Sequence, residues 1–161
     1  MRNIGGLILH LHLFMSQHFN DGGTAFVTSN SKLVLFGEDD IDDREILEDI
    51  FSSIDSSVRL HFMDNGLKIV RYFDETPDAE IPCLVVLDYN MPALNGADVL
   101  RMLADHKHFK DVPKIIWSTS GSDTYKNLCL ELGAQEYLVK PSKIEPLVEL
   151  LKHFVSFCEK R

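Results

Sequence analysis

The feature that most constrains this chain is a repeated exchange between two hydrophobic periods. Short apolar runs of strand length alternate with segments whose apolar residues recur every three or four positions. The strand candidates are Lys32-Leu-Val-Leu-Phe36, Val58-Arg-Leu-His-Phe62, Cys83-Leu-Val-Val-Leu87, Pro113-Lys-Ile-Ile-Trp117 and Glu136-Tyr-Leu-Val139. A helical pattern follows each of them. The first opens at Asp42-Asp43 and carries Ile46, Leu47, Ile50, Phe51 and Ile54. The second runs from Gly66 to Phe73, the third from Gly96 to about Lys107, and the fourth from Asp123 to Leu132 with Gly133 closing it. The last opens on Ser142-Lys-Ile-Glu145, a capping-box pattern. Five strand–helix pairs in strict alternation predict an α/β fold, a parallel sheet with helices on both faces. Cys83 to Leu87 is the most continuous apolar run and is expected in the buried middle of that sheet.

The chain has 161 residues, enough for one domain with an ordinary core. Its 16 Lys and Arg stand against 25 Asp and Glu, a net charge of −9. That balance excludes a basic surface for nucleic acid or anionic lipid. Three cysteines, Cys83, Cys129 and Cys158, form no metal-like spacing and no disulfide framework, so they read as inert thiols in a reducing, cytoplasmic setting. Residues 1–31 differ from the rest. The apolar run from Leu7 to Met15 is broken by His10 and His12 and falls short of a membrane span. Loop-forming Asn20-Asp-Gly-Gly23 and Thr28-Ser-Asn-Ser31 follow. This stretch reads as a poorly ordered leader, or an extension upstream of a start at Met15, with the folded domain over 32–161.

In a doubly wound sheet, ligands bind at the carboxyl ends of the strands. The first strand ends in Glu38-Asp39-Asp40, the third in Asp88-Tyr-Asn-Met-Pro92, the fourth in Ser118-Thr-Ser120 and the fifth in Lys140-Pro141. Three carboxylates, a hydroxyl and an ammonium are thus expected around one edge. Carboxylates held so close repel one another unless a cation joins them. Oxygen ligands from two strands suit Mg²⁺. Metal, ammonium and hydroxyl together are the parts that hold a phosphoryl group, and a facing carboxylate can serve as its nucleophile. Asp42 and Asp43 read instead as helix-capping acids on a solvated surface.

With these motifs in order, the chain from Lys32 onward resembles the receiver domain of two-component response regulators. The resemblance implies a flavodoxin-like sheet of strand order 2-1-3-4-5. It places the family's paired acids on Glu38 and Asp39, the phosphoacceptor on Asp88, the switch hydroxyl on Ser118, the lysine on Lys140 and the switch aromatic on Tyr137. It also implies a cis peptide before Pro141. By resemblance, Mg²⁺ is held by Asp39, Asp88 and the backbone carbonyl of Asn90, with Glu38 acting partly through water. Asp88 would take the phosphoryl group from a sensor histidine kinase or histidine phosphotransfer protein. Ser118 and Tyr137 would then shift, remodelling the face of the fourth helix, fifth strand and fifth helix for a downstream protein partner. Gly37, Asn95 and Thr119 depart from the commonest family pattern, and Asn90 and Ser120 occupy positions that influence dephosphorylation.

Only Ser142 to Arg161 follows Lys140-Pro141. The expectation is therefore a stand-alone receiver, not an enzyme beyond its own phosphorylation and dephosphorylation, with no direct nucleic-acid contact and no membrane insertion. Two readings compete. One is a Mg²⁺-dependent phosphohydrolase working through an aspartyl phosphate, against which Asp88-Tyr89-Asn90 lacks a second carboxylate. The other is a receiver-like interaction module that is never phosphorylated.

Overall fold

The strand Leu84–Asp88 (β3) is buried at every residue, which in a sheet demands neighbours on both edges and cover on both faces. The computed structural model, which describes residues 32–75 and 80–159, supplies both. β3 pairs in parallel with Lys32–Gly37 (β1) on one side and Lys114–Ser118 (β4) on the other. Val58–Met63 (β2) lies outside β1, and Glu136–Val139 (β5) lies outside β4. The five parallel strands run in the order β2-β1-β3-β4-β5, as the resemblance implies.

Helices follow the strands in turn: α1 (Ile41–Ile54), α2 (Gly66–Glu75), α3 (Gly96–Leu103), α4 (Asp123–Glu131) and α5 (Ile144–Glu159). Alternation along the strands divides the core into two layers. Val34, Phe36, Val86, Ile115 and Trp117 face α1 and α5, meeting Ile46, Leu47 and Phe51 from one helix and Leu147, Leu151 and Phe154 from the other. Leu35, Val85, Leu87 and Ile116 face the opposite side, meeting Ile69 and Phe73 of α2, Val99 and Leu100 of α3 and Cys129 of α4.

Three helix starts are set by short polar side chains. Asp40 caps α1, accepting hydrogen bonds from the N–H groups of Asp42 at 2.9 Å and Asp43 at 3.3 Å. Asn95 caps α3 through the Asp98 N–H, and Ser122 caps α4 through the Tyr125 N–H. Gly133, at φ +95°, turns the chain out of α4 in a conformation that glycine adopts without steric cost.

Three expectations are corrected. The third helix stops at Leu103 instead of Lys107. The chain there tightens into turns, with His106 N–H bonding to Leu103 O, and the buried Lys114 ammonium holds the Phe109 and Lys110 carbonyls, each at 2.9 Å. The peptide before Pro141 is trans, since no cis bond occurs among the described residues. Trans is the ordinary preference of an X–Pro bond, and the Lys140 N–H bonds to Ser118 O at 2.7 Å in that form. Finally, two of the three thiols are not free: Cys83 and Cys158 form a disulfide, with Cα atoms 5.0 Å apart. The start of β3 and the last turn of α5 enter the same core layer, a convergence that spacing along the chain cannot reveal.

The leader expected over residues 1–31 lies outside the described residues. Among the described residues, no helix is long and apolar enough to cross a membrane.

The disulfide joins positions 75 residues apart, so it restricts a long loop in the unfolded chain. Reduction should lower the unfolding free energy by about 3–4 kcal/mol in denaturant titrations. Cys158→Ser should be as unstable as the reduced wild type and insensitive to reductant. Equal midpoints for the oxidised and reduced wild type would refute this.

Candidate functional site

All parallel strands end on one edge of the sheet, so residues that leave the strands there meet in space. Glu38 and Asp39 leave β1, Asp88 ends β3, Ser118 ends β4 and Lys140 follows β5. Together with Asn90 and Thr119, the carboxylates of Glu38, Asp39 and Asp88 and the Lys140 side chain line an open cleft.

The centre of the cleft is the Lys140 ammonium. It donates to Glu38 Oε2 at 2.6 Å, Asp88 Oδ2 at 2.8 Å and Asp43 Oδ2 at 3.1 Å. It also lies 5.6 Å from the centroid of the Trp117 ring, within cation–π range. The second oxygens of the two buried carboxylates are likewise occupied. Glu38 Oε1 accepts from the Asp40 N–H at 3.2 Å, and Asp88 Oδ1 accepts from the Asn90 N–H at 2.9 Å. The Arg44 guanidinium donates to the Glu38 carbonyl through Nε at 2.7 Å and also through Nη2. That contact ties the turn after β1 to the first turns of α1.

Burial decides the electrostatics. Desolvation of the Glu38 carboxyl pushes its pKa up to about 7, and attraction to Lys140 offsets that only in part. Burial also disfavours the Lys140 cation, but the charges of Glu38 and Asp88 outweigh it and raise its pKa above the ordinary lysine value. The ammonium thus stays charged, while Glu38 bears its own charge only at a cost.

One carboxylate oxygen each from Glu38, Asp39 and Asp88 lie within 4.8 Å of one another. Asp39 is exposed at the mouth of the cleft, and the other two are buried. Three hard oxygen donors with an open side toward solvent match a divalent cation such as Mg²⁺. Such a cation would also compensate the charge on Glu38.

The hydroxyls are arranged differently from a simple lining. Ser118 is fully buried, and its Oγ accepts from the Ser120 N–H at 3.1 Å, so Thr119 forms the cleft wall instead. Tyr137 is packed inward, 7% exposed, and its hydroxyl donates to Ser120 O at 2.9 Å.

Gly37 has a steric explanation. A Cβ at that position would stand 2.7 Å from both Ile69 Cδ1 and Met91 Sδ. The glycine therefore lets the loop after Asp88 sit against β1. Within the same loop Ala93 takes φ 64°, a left-handed conformation that costs a non-glycine residue roughly 1–2 kcal/mol.

Asp43 is the clearest departure from expectation. Read from sequence as a solvated capping acid, it bonds Lys140 inside the cleft. The signal was present in the helical period: Asp43 precedes Ile46 and Leu47 by three and four residues, so it shares their inward face. Arg44, Trp117 and the stack of Tyr89 on Tyr125, with centroids 4.5 Å apart, carried no such signal.

Residues 34–152 match the family model described as the response regulator receiver domain. The two-component response regulator ARR7 of Arabidopsis thaliana is 30% identical over 138 residues, covering 81% of this chain and 66% of that protein. The chain spans 58% of the length of another relative from the same plant, the two-component response regulator ARR9. Among solved structures, response regulator RPA3017 in red light signaling of R. palustris matches with a TM-score of 0.70 and 32% identity, over 78% of this chain and 92% of that one. The Mn²⁺-bound form of response regulator Rcp1 matches with a TM-score of 0.66 and 25% identity, over 78% and 93% respectively.

The state of Glu38 makes stability depend on pH. Between its ordinary value of 4.5 and about 7, the folded chain holds a proton that the unfolded chain has released. Stability therefore falls as pH rises through that window, by on the order of 3 kcal/mol for this group without a metal. In chelator, Glu38→Gln should remove this component of the slope and be no less stable than wild type at pH 8. Parallel stability–pH curves for the two proteins would contradict the assignment.

Proposed function

The chain belongs to the response regulator receiver domain family, and on that premise we propose that Asp88 accepts a phosphoryl group and thereby switches a partner-binding surface. The observation that carries this reading is the contact of the Lys140 ammonium with Asp88 and Glu38 at the carboxyl edge of the sheet. A buried cation beside a nucleophilic carboxylate is what an incoming phosphoryl group requires.

An Asp88 carboxylate oxygen attacks phosphorus on a phosphohistidine of a sensor kinase or phosphotransfer protein. A P–O bond to Asp88 forms as the P–N bond breaks. The imidazole leaves with the bonding pair and is neutral once the ring proton balance is restored from water. Lys140 steadies the charge on the equatorial oxygens. Glu38, Asp39, Asp88 and the backbone carbonyl of Asn90 are the proposed holders of Mg²⁺, with Glu38 acting partly through water. When bound, that ion neutralises phosphoryl charge and draws donor and carboxylate together. The Mn²⁺-bound form of Rcp1 and the acidic group around Asp88 both support this assignment.

Ser118 lies next in line. A phosphoryl oxygen above Asp88 offers its hydroxyl an acceptor, and turning toward it gives up the bond from the Ser120 N–H. Tyr137 is linked to the same loop through the Ser120 carbonyl, so the two movements are coupled. The affected surface is that of α4, β5 and α5, where Val139 is half exposed, and a downstream protein is proposed to read it. The receiver is assigned to residues 32–161, and the cell compartment proposed is the cytoplasm.

Incubation with acetyl phosphate and Mg²⁺ should add one phosphoryl group to the wild type, measured by intact mass. Asp88→Asn and chelator should each abolish the addition, and Lys140→Ala should slow it at least tenfold. Equal modification of wild type and Asp88→Asn would rule the proposal out.

A further inference from the structure

A lysine ammonium has three N–H donors and no more. In Lys140 all three are taken, by Glu38, Asp88 and Asp43. If Lys140 is to donate to a phosphoryl oxygen, as the proposed function requires, one of these bonds must open. The donor molecule arrives while Asp88 is still a carboxylate, so the choice falls among three standing bonds. Glu38 and Asp88 have side chains 1% and 10% exposed, and each is held by a backbone N–H at its second oxygen. Asp43 makes the longest contact, 3.1 Å, and is the most exposed of the three at 30%. Water can replace its lost bond, which it cannot do for the other two.

We propose that Asp43 is a resident anion that occupies the phosphoryl-facing donor of Lys140 and sets how readily the site accepts a phosphoryl group. The inference rests on the receiver reading and adds a rate-determining residue to it. Two effects act in the same direction. The Asp43 carboxylate competes for the third N–H of Lys140, and its negative charge opposes the anionic donor as it enters the cleft. The residue stands in the first turn of α1, so a change of side-chain rotamer releases it without disturbing the strand ends.

The experiment measures beryllofluoride affinity and the rate of modification by acetyl phosphate, each with Mg²⁺, for wild type, Asp43→Ala and Asp43→Asn. Glu45→Gln, an exposed charge change on the same helix, serves as the control. Both Asp43 variants should bind beryllofluoride about threefold to tenfold more tightly and react faster by a similar factor, the loss of one partly exposed charge-assisted bond. Mg²⁺ affinity should stay level or weaken, because a nearby negative charge is gone. General loosening of the fold cannot yield tighter anion binding beside unimproved metal binding. If Asp43→Ala folds poorly, the near-isosteric Asp43→Asn carries the test through removal of the charge. Wild-type binding with no gain in either variant, or an equal gain in Glu45→Gln, overturns the role of Asp43 alone. Failure of the wild type itself to bind beryllofluoride or react overturns the phosphoacceptor reading and this inference with it.

Discussion

Lys140 places an ammonium in a space where two buried carboxylates and one partly exposed carboxylate converge, and the carboxyl edge of the sheet is organised by that contact. Without the cation, Glu38 and Asp88 would face each other across a poorly hydrated gap, at a cost of several kcal/mol per charge. With it, the ends of β1, β3 and β5 and the first turn of α1 are drawn to one point. The same contact does not fully compensate Glu38, whose pKa is pushed up to about 7 even with Lys140 beside it. A site built this way is stable enough to fold and has a standing demand for more positive charge, which suits divalent-cation binding.

The neighbouring loop shows the geometric side of the same constraint. To bring Asp88 and the residues after it against β1, the chain uses Gly37 where a side chain would collide with Met91, and it holds Ala93 in a left-handed conformation. Both features tie the loop to one shape. Backbone strain of this kind persists only where the surroundings over-determine it. Here those surroundings include the Gly66 N–H to Pro92 O and Gly96 N–H to Tyr89 O bonds, at 3.3 Å and 3.0 Å.

Much of this was legible in the sequence, for a physical reason. Strand and helix periods are local properties, and in a parallel sheet every strand end points to one edge. Glu38, Asp39, Asp88, Ser118 and Lys140 could therefore be gathered from the residues at the carboxyl end of each apolar run. The features that stayed hidden depend on side-chain reach or on tertiary convergence. Cys83 and Cys158 look unrelated until β3 and α5 pack into one layer. Trp117 reads as one more strand residue, and only the fold brings its ring near Lys140. Asp43 was readable in principle from its place on the inward helical face, but the general tendency of first-turn acids to favour the helix dipole concealed it.

The packing of the helices suggests where a change at this edge is most easily expressed. Among its residues α4 buries only Cys129, whereas α5 buries eight, from Ile144 to Cys158. An element with few buried apolar contacts opens or shifts at lower cost than its neighbours. Two contacts join α4 and its preceding loop to the cleft. Tyr89, which directly follows Asp88, stacks on Tyr125 of α4, and the Tyr137 hydroxyl holds the Ser120 carbonyl just before that helix. A small displacement beside Asp88 therefore meets its least resistance along α4, whose movement changes the surface it shares with β5 and the firmly seated α5.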